Sequence, residues 1–193
     1  FKPKCNMNTN KITGAEVLVR WNHPQKGMIS PKDFIPVFEK NGFIKKLDQF
    51  VWEESAKWLH KHAKEHKILP ISVNISRIDI FGLDVQDIFQ NLVKRYELDP
   101  SWMQLEITES AYSSRSDEII FVINRLMNHG FTVLMDDFGS GYSSLNVLKE
   151  IPVDILKLDK VFFEYEDDKK AEYIIESVID LANHLGMETI AEG

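Results

Sequence analysis

Two patterns of apolar residues alternate along this chain. Short runs rich in Val, Ile and Leu are separated by longer segments in which apolar residues recur every three or four positions. The short runs are typical of buried parallel strands, and the longer segments are typical of amphipathic helices. We predict strands at residues 16–21, 70–76, 103–108, 131–135, 153–158 and 187–191, with a further strand at 1–6. We predict helices at residues 31–41, 44–65, 85–96, 116–129, 142–149 and 169–185.

Pro and Gly mark several of these helix boundaries. Pro31 stands at the start of a predicted helix, where its fixed backbone angle is favourable. Gly130 and Gly186 come just after two others, where a left-handed cap is expected. The boundaries therefore support the alternating pattern.

Strands that alternate with helices predict parallel βαβ units. A doubly wound sheet and a (β/α)8 barrel both fit this order. Nearly every predicted strand carries a polar residue at or near its C-terminal end, and in a barrel those ends converge on one mouth. In an open sheet they would spread along an edge. We therefore favour an α/β fold of the TIM-like barrel type.

The number of strands bears on where the domain ends. The predicted strands fall about one short of the eight that a barrel needs. The chain also stops directly after a strand, at Gly193. We expect residues 1–193 to form one domain that is C-terminally incomplete, with the last strand and helix missing.

The polar residues at strand ends are mostly carboxylates. They are Glu16, Asn74, Glu106, Glu109, Asp136, Asp137, Asp159 and Glu192, and Lys157 joins them. Side chains alternate along a strand, so Asn74 shares a face with the serines on either side of it, and Lys157 shares a face with Asp159. We expect these polar faces to point inward. The neighbours Asp136 and Asp137 can face one site only if the chain turns, and the glycines of residues 138–141 supply that turn.

Carboxylates packed together without cations would repel one another, since burying unpaired charge is costly. Two divalent cations would neutralise most of this charge. A set of oxygen ligands selects Mg²⁺ or Mn²⁺ rather than Zn²⁺. Two such ions about 3.5–4 Å apart activate water and hold a phosphodiester. Lys157, among the acids, would orient that water or stabilise phosphoryl charge.

Composition limits the partners, the disulfide bonds and the cellular location that we expect for the chain. The formal net charge of −7 argues against DNA as a partner, because sequence-independent binding needs a basic face. A single cysteine excludes an internal disulfide. No apolar run approaches the roughly 20 residues that span a bilayer, so we expect no membrane contact by this segment and a cytoplasmic location. A membrane anchor elsewhere in the full-length protein is left open.

Several motifs in chain order resemble the EAL family of cyclic-di-GMP phosphodiesterases. Glu16-Val17-Leu18 stands where the family has its EAL motif, followed by Arg20. Downstream come Ser72-Val73-Asn74-Ile75-Ser76, Leu105-Glu106-Ile107-Thr108-Glu109-Ser110, Asp136-Asp137-Phe138-Gly139-Ser140-Gly141-Tyr142-Ser143-Ser144-Leu145, Leu156-Lys157-Leu158-Asp159 and Ala191-Glu192-Gly193. The resemblance covers the whole chain, and its combined signal is specific.

The resemblance implies a role for each matching residue. Metal ligands would be Glu16, Asn74, Glu106, Asp136 and Asp137, which would hold two divalent cations, Mg²⁺ or Mn²⁺. Lys157 and Glu192 would position or deprotonate the attacking water. Arg20, Leu18 and Asp159 would contact substrate. Glu109 would brace the loop of residues 137–144, which in the family links the site to a dimer interface.

The implied activity is hydrolysis of cyclic-di-GMP to linear pGpG in bacterial signalling. The implied partners are a second copy of the chain and a covalently linked sensor or diguanylate cyclase domain. Two other functions stay open: a catalytically inactive receptor for cyclic-di-GMP, and a purely structural domain. The chain departs from the family at Lys2, where a glutamine is frequent.

Overall fold

The structure is a computed structural model that describes residues 1–63, 69–112, 116–140, 145–163 and 169–192. The chain divides into an N-terminal unit, Phe1–Leu105, and a C-terminal unit, Glu106–Gly193. The division falls within strand β6 (Met103–Thr108).

Among its described residues, the N-terminal unit contains the first five strands, four α-helices and a short 3₁₀ helix at Pro100–Trp102. Its strands are β1 (Lys2–Asn6), β2 (Lys11–Glu16), β3 (Trp21–His23), β4 (Gly27–Ile29) and β5 (Ile71–Ile75). Its helices are α1 (Pro31–Asn41), α2 (Ile44–His62), α3 (Arg77–Gly82) and α4 (Val85–Arg95). The main sheet has the order β1–β2–β5–β6, and β3 and β4 form a separate hairpin.

Strand β1 confirms the predicted strand at residues 1–6, but it runs antiparallel to β2. The first parallel pair is β2 with β5, in which Glu16 is opposite Ser72. The predicted strand 16–21 is therefore wrong in position, since β2 ends where that strand was expected to begin. The cause is the tight hairpin, which pairs residues 11–16 with β1 although few of them are apolar.

The helices of this unit follow their capping signals. Helix α1 begins at Pro31 and ends before Gly42, whose φ of 74° is left-handed. The short helix α3, which the sequence pattern did not predict, begins with a capping box. In it the backbone N–H of Asp79 donates to Ser76 Oγ, while the backbone N–H of Ser76 donates to Asp79 Oδ2.

A pair of acidic side chains joins α2 to α3. The Asp79 side chain is fully buried, and it forms a hydrogen bond with that of Asp48. Burial, together with this contact, raises the pKa of Asp48 to about 9. Asp48 therefore holds a proton at neutral pH, and its carboxyl group lies beside that of Asp79.

The C-terminal unit alternates strand and helix along the chain. Its strands are the end of β6, β7 (Thr132–Phe138), β8 (Ile155–Leu158) and β9 (Glu188–Ala191), in that order across the sheet. The pairs β7–β8 and β8–β9 are parallel, as predicted. Its helices are α5 (Glu109–Tyr112), α6 (Ser116–Met127), α7 (Leu145–Glu150) and α8 (Lys169–His184), with a short 3₁₀ helix at Lys160–Phe163.

Helix α6 shows why the spacing of apolar residues predicted the helices of this unit. Ile119, Ile123 and Leu126 lie on one face and are fully buried. The helix ends at Met127, two residues before the predicted end, and Gly130 and Gly186 both adopt left-handed backbone angles, with φ of 87° and 79°. The predicted helix start at Tyr142 lies outside the described residues, and α7 is described from Leu145. None of the described helices is both long and apolar enough to cross a bilayer.

Candidate active site

The C-terminal unit gathers acidic side chains around one lysine at the ends of its four strands. We call Glu106, Asp136, Asp137, Lys157 and Glu192 the carboxylate–lysine cluster. Glu106 lies on β6, Asp136 and Asp137 on β7, Lys157 on β8, and Glu192 directly after β9. Parallel strands end at one edge of a sheet, which is why residues far apart in sequence meet here.

Lys157 is the centre of the cluster, and its side chain is 2% exposed. Its Nζ atom donates to Glu106 Oε2 at 2.7 Å and lies 2.8 Å from Asp136 Oδ1 and 3.0 Å from Glu192 Oε1. Burial by itself would lower the pKa of Lys157, but the Glu106 and Asp136 carboxylates raise it above its usual value. Lys157 is therefore a fixed cation.

The acids of the cluster are held in an unfavourable environment. The pKa of Asp136 is raised to about 6, chiefly by burial. The Lys157 cation opposes this rise, and the Glu106 carboxylate adds to it. Burial also raises the pKa of Asp137, to which the charges of Asp159 and Glu192 add. A bound cation would offset both the cost of burying these carboxylates and the repulsion between them.

One oxygen from each of Asp136, Asp137 and Glu192 lies within 4.8 Å of the other two. These three carboxylates could therefore hold a metal ion, with ligands that are all oxygen. In this respect the structure brings together acids that the sequence placed at separate strand ends.

The backbone turn that brings Asp137 to the cluster differs from the predicted one. The sequence assigned the turn to the glycines after Phe138, but strand β7 continues to Phe138 through an irregularity in its register with β8. Asp137 itself takes a left-handed conformation, with φ of 56°. Its backbone N–H donates to the Asp136 carboxylate at 2.9 Å. Adjacent residues of a regular strand would point to opposite faces, so this bulge is what lets both contribute.

Glu109 and Asp159 lie beside the cluster and contact backbone groups. Glu109 begins α5 and is nearly buried, and its Oε2 atom accepts a hydrogen bond from the backbone N–H of Gly139 at 3.2 Å. Asp159 follows β8, and its Oδ1 atom accepts from the backbone N–H of Val161 at 2.8 Å. The Glu109 contact reaches the start of the 137–144 loop, of which residues 141–144 lie outside the described residues.

Glu16 and Asn74 belong to the N-terminal unit. Glu16 ends β2 and is buried, and Asn74 lies on β5 two residues after Ser72, the register partner of Glu16. Asn74 therefore shares a face with the fully buried Ser72, and its own side chain is exposed near the C-terminal end of the strand.

Arg20 and Leu18 lie in the irregular segment between β2 and β3. Leu18 is half-buried and Arg20 is exposed, with its Nη1 donating to the carbonyl of Val19 at 2.8 Å. Arg20 also lines a cavity of about 490 Å³ together with Val17 and Trp58.

One contact near the cluster has no counterpart in the sequence prediction. The ring of Phe162 lies against Gly139, at the turn that follows Asp137. The sequence shows only two adjacent aromatic residues, Phe162 and Phe163, soon after Asp159. Two adjacent residues form no periodic pattern, so the sequence did not indicate that either ring packs near the site.

A family model described as EAL domain matches residues 1–193 of the chain. The chain belongs to the EAL domain family. It is 32% identical over 194 residues to a cyclic di-GMP phosphodiesterase of Pseudomonas aeruginosa. It is 33% identical over 198 residues to the bifunctional diguanylate cyclase/cyclic di-GMP phosphodiesterase MucR of the same organism. These alignments cover 100% of this EAL chain but 33% and 28% of the two relatives, so the chain spans about a third of their length.

Among solved structures, the EAL chain is similar to the PaMucR phosphodiesterase in complex with c-di-GMP. The TM-score is 0.92 at 32% identity, covering 100% of this chain and 78% of that one. The Xanthomonas citri FimX EAL domain, at 18% identity and a TM-score of 0.88, shares the fold. The first comparison confirms the predicted fold class, a TIM-like barrel of EAL type.

Proposed function

We propose that this EAL domain hydrolyses cyclic-di-GMP to linear pGpG, with two divalent cations, Mg²⁺ or Mn²⁺, as cofactors. The observation that carries the proposal is the carboxylate–lysine cluster, in which a buried lysine contacts carboxylates from three other strand ends. The relatives named as cyclic di-GMP phosphodiesterases support the choice of substrate.

The chemistry of the cluster fits the proposed metal ions. Asp136 and Asp137 offer carboxylate oxygens within 4.8 Å of one another, and an oxygen of Glu192 lies equally close, where it can accept a proton from a water molecule beside them. Such hard oxygen donors suit Mg²⁺ and Mn²⁺. In the proposal, the ligands are Asp136, Asp137 and Glu106 of this unit, with Glu16 and Asn74 of the N-terminal unit. When bound, the cations would lower the pKa of a water molecule and neutralise phosphate charge.

Different side chains of the cluster hold and accept protons during the reaction. A water oxygen attacks the phosphorus of one phosphodiester, the bond from phosphorus to the ribose 3′ oxygen breaks, and that oxygen takes up a proton from solvent, so that one water molecule is consumed for each bond broken. Lys157 holds its proton because its pKa is raised, so it acts as a cation and hydrogen-bond donor rather than as a base. The proton of the attacking water therefore goes to a carboxylate.

Glu192 is the candidate for this base. Its side chain is 21% exposed, against 0% for Glu106 and 10% for Asp136. Of the three carboxylates that contact Lys157, Glu192 is therefore the most accessible to water. Lys157 lies 3.0 Å from it and orients it. Leu18, Arg20 and Asp159 are proposed substrate contacts, and Glu109 is proposed to brace the turn through its hydrogen bond to Gly139.

The 193-residue chain incubated with cyclic-di-GMP and Mn²⁺ tests the proposal. We expect a linear dinucleotide on chromatography, and its loss in Glu106→Gln. The matched control is Glu172→Gln, at an exposed position of α8, which we expect to keep wild-type turnover. Absence of product from the wild type would contradict the enzymatic proposal, and calorimetric binding of cyclic-di-GMP in EDTA would then favour a receptor. Dimer formation and linked domains are proposals that rest on the family resemblance.

A further inference from the structure

The turn that carries Asp137 contains two left-handed backbone conformations, one of them at a residue other than glycine. Asp137 has a φ of 56° and Gly139 a φ of 97°. The backbone N–H of Ser140 donates to the carbonyl of Asp137 at 3.1 Å, closing the turn. A residue other than glycine keeps a left-handed conformation only where its surroundings fix it. The contacts around residues 137–140 therefore decide where the Asp137 carboxylate points.

One side of the turn is held by Glu109. Its carboxylate accepts the N–H of Gly139 at 3.2 Å, from the first residue of α5. This contact fixes the position of a single peptide group.

The opposite contact comes from Phe162. A Cβ atom placed on Gly139 would lie 1.9 Å from Cε2 of Phe162, so the aromatic edge occupies the space in which any other residue at position 139 would put its side chain. The Phe162 ring is also nearly parallel to that of Phe138, with centroids 6.3 Å apart and an angle of 12° between the planes. Phe162 thus covers both the last residue of β7 and the glycine after it.

Phe162 is itself tied to strand β8. Its N–H donates to the carbonyl of Asp159 at 3.1 Å, and the N–H of Asp159 donates to the carbonyl of Phe138 at 3.1 Å. The 3₁₀ helix that carries the ring begins at Lys160, three residues after Lys157. The ring is therefore held by the strand that carries the central cation of the cluster.

We propose that Phe162 is a positioning residue that keeps the Asp137 carboxylate beside Asp136 and Glu192 by packing over the Gly139 turn. The inference rests on the proposed function, because it assigns Phe162 to the geometry of the metal ligands. Without the ring, residues 137–140 regain other backbone conformations, and Asp137 leaves the cluster for part of the time. Divalent cations then bind more weakly.

The test compares Phe162→Ala, Phe162→Leu and Phe163→Ala in the 193-residue chain. Phe163 is the neighbouring ring, 36% exposed, and serves as the control. Mn²⁺ affinity is measured by electron paramagnetic resonance without nucleotide. We expect Phe162→Ala to weaken Mn²⁺ binding about tenfold, as loss of an outer contact to a metal site does. Phe162→Leu should lose less, and Phe163→Ala should match the wild type.

Turnover separates positioning from general packing. The activity lost in Phe162→Ala should be partly restored by raising the Mn²⁺ concentration, whereas a fold defect would not respond in this way. Thermal unfolding in EDTA serves as the measure of packing. Wild-type Mn²⁺ affinity in Phe162→Ala, with a lowered unfolding temperature, would overturn the inference and leave Phe162 as a core residue.

The outcomes also separate this inference from the proposed function. A wild-type chain that binds Mn²⁺ but does not hydrolyse cyclic-di-GMP overturns the enzymatic proposal, and the Mn²⁺ affinities still decide the role of Phe162. A wild type that turns over while Phe162→Ala binds Mn²⁺ normally overturns the inference by itself. A wild type that binds no Mn²⁺ overturns both.

Discussion

The Nζ atom of Lys157 lies 2.7 Å from Oε2 of Glu106, and both side chains are almost completely buried. The two residues are 51 positions apart and reach each other from strands β8 and β6. A buried ion pair of this kind is weak grounds for stability, because desolvation offsets much of the attraction. The role of this ion pair is to hold the Lys157 ammonium group in place among the carboxylates of the cluster.

Replacement of Lys157 by methionine should destabilise the chain in EDTA. The acids around it would lose their cation, and removing one partner of a buried pair costs about 3 kcal/mol. Urea unfolding measures the loss, which Mn²⁺ should partly reverse by taking over the positive charge. Lys160→Met, at an exposed position three residues on, is the control. Equal unfolding midpoints for the two variants would contradict this expectation.

The contact between Glu109 and Gly139 predicts a graded effect. Glu109→Gln keeps an oxygen that can accept the Gly139 N–H, whereas Glu109→Ala removes it. We expect kcat to fall about tenfold in the alanine variant and much less in the glutamine variant. Steady-state kinetics at saturating Mn²⁺ measure both. Equal losses would show that the charge of Glu109 matters rather than its hydrogen bond.

Two glycines in the same left-handed region should respond differently to alanine. At Gly186, with φ of 79°, an added Cβ meets nothing within 4 Å, so the backbone strain of about 1 kcal/mol is the whole cost. At Gly139 the added Cβ would also collide with Phe162. The unfolding free energy from urea titration should therefore fall clearly more in Gly139→Ala. A loss in Gly186→Ala as large as that in Gly139→Ala would contradict the packing of Phe162 on the turn.

The acidic pair of Asp48 and Asp79 makes stability depend on pH. The pKa of Asp48 is about 9 in the folded chain, against 3.8 as its reference value. The folded state therefore binds more protons than the unfolded state between about pH 4 and pH 9, and this pair reduces stability progressively as pH rises through that range.

Asp48→Asn should remove that dependence. We expect the variant to be more stable than the wild type at pH 8.5, by roughly 1–2 kcal/mol, with a smaller difference at pH 5. Asp33→Asn, at an exposed position in the first turn of α1, is the control. Urea unfolding at the two pH values measures the difference. A wild type and variant that respond equally to pH would exclude a shifted pKa at Asp48.

Much of the fold could be predicted because the spacing of apolar residues shows which face of a helix or strand is buried. Helix α6 follows from Ile119, Ile123 and Leu126, and strand β8 follows from its run of aliphatic residues. Short elements escaped prediction, since α3 and the β3–β4 hairpin are too brief for a period to be visible. The position of β2 was wrong for a related reason, because its pairing with β1 outweighs the apolar run after Glu16.

The sequence by itself determined which chemical groups stand at the strand ends, among them Glu106, Asp136, Lys157 and Glu192. It did so because strand ends and residue types are local properties. The tertiary structure decided which of these groups meet, and at what distance. The bulge at Asp137, the ring of Phe162 on Gly139 and the pairing of Asp48 with Asp79 depend on contacts between elements distant in the chain. Periodicity within one element carries no information about such contacts.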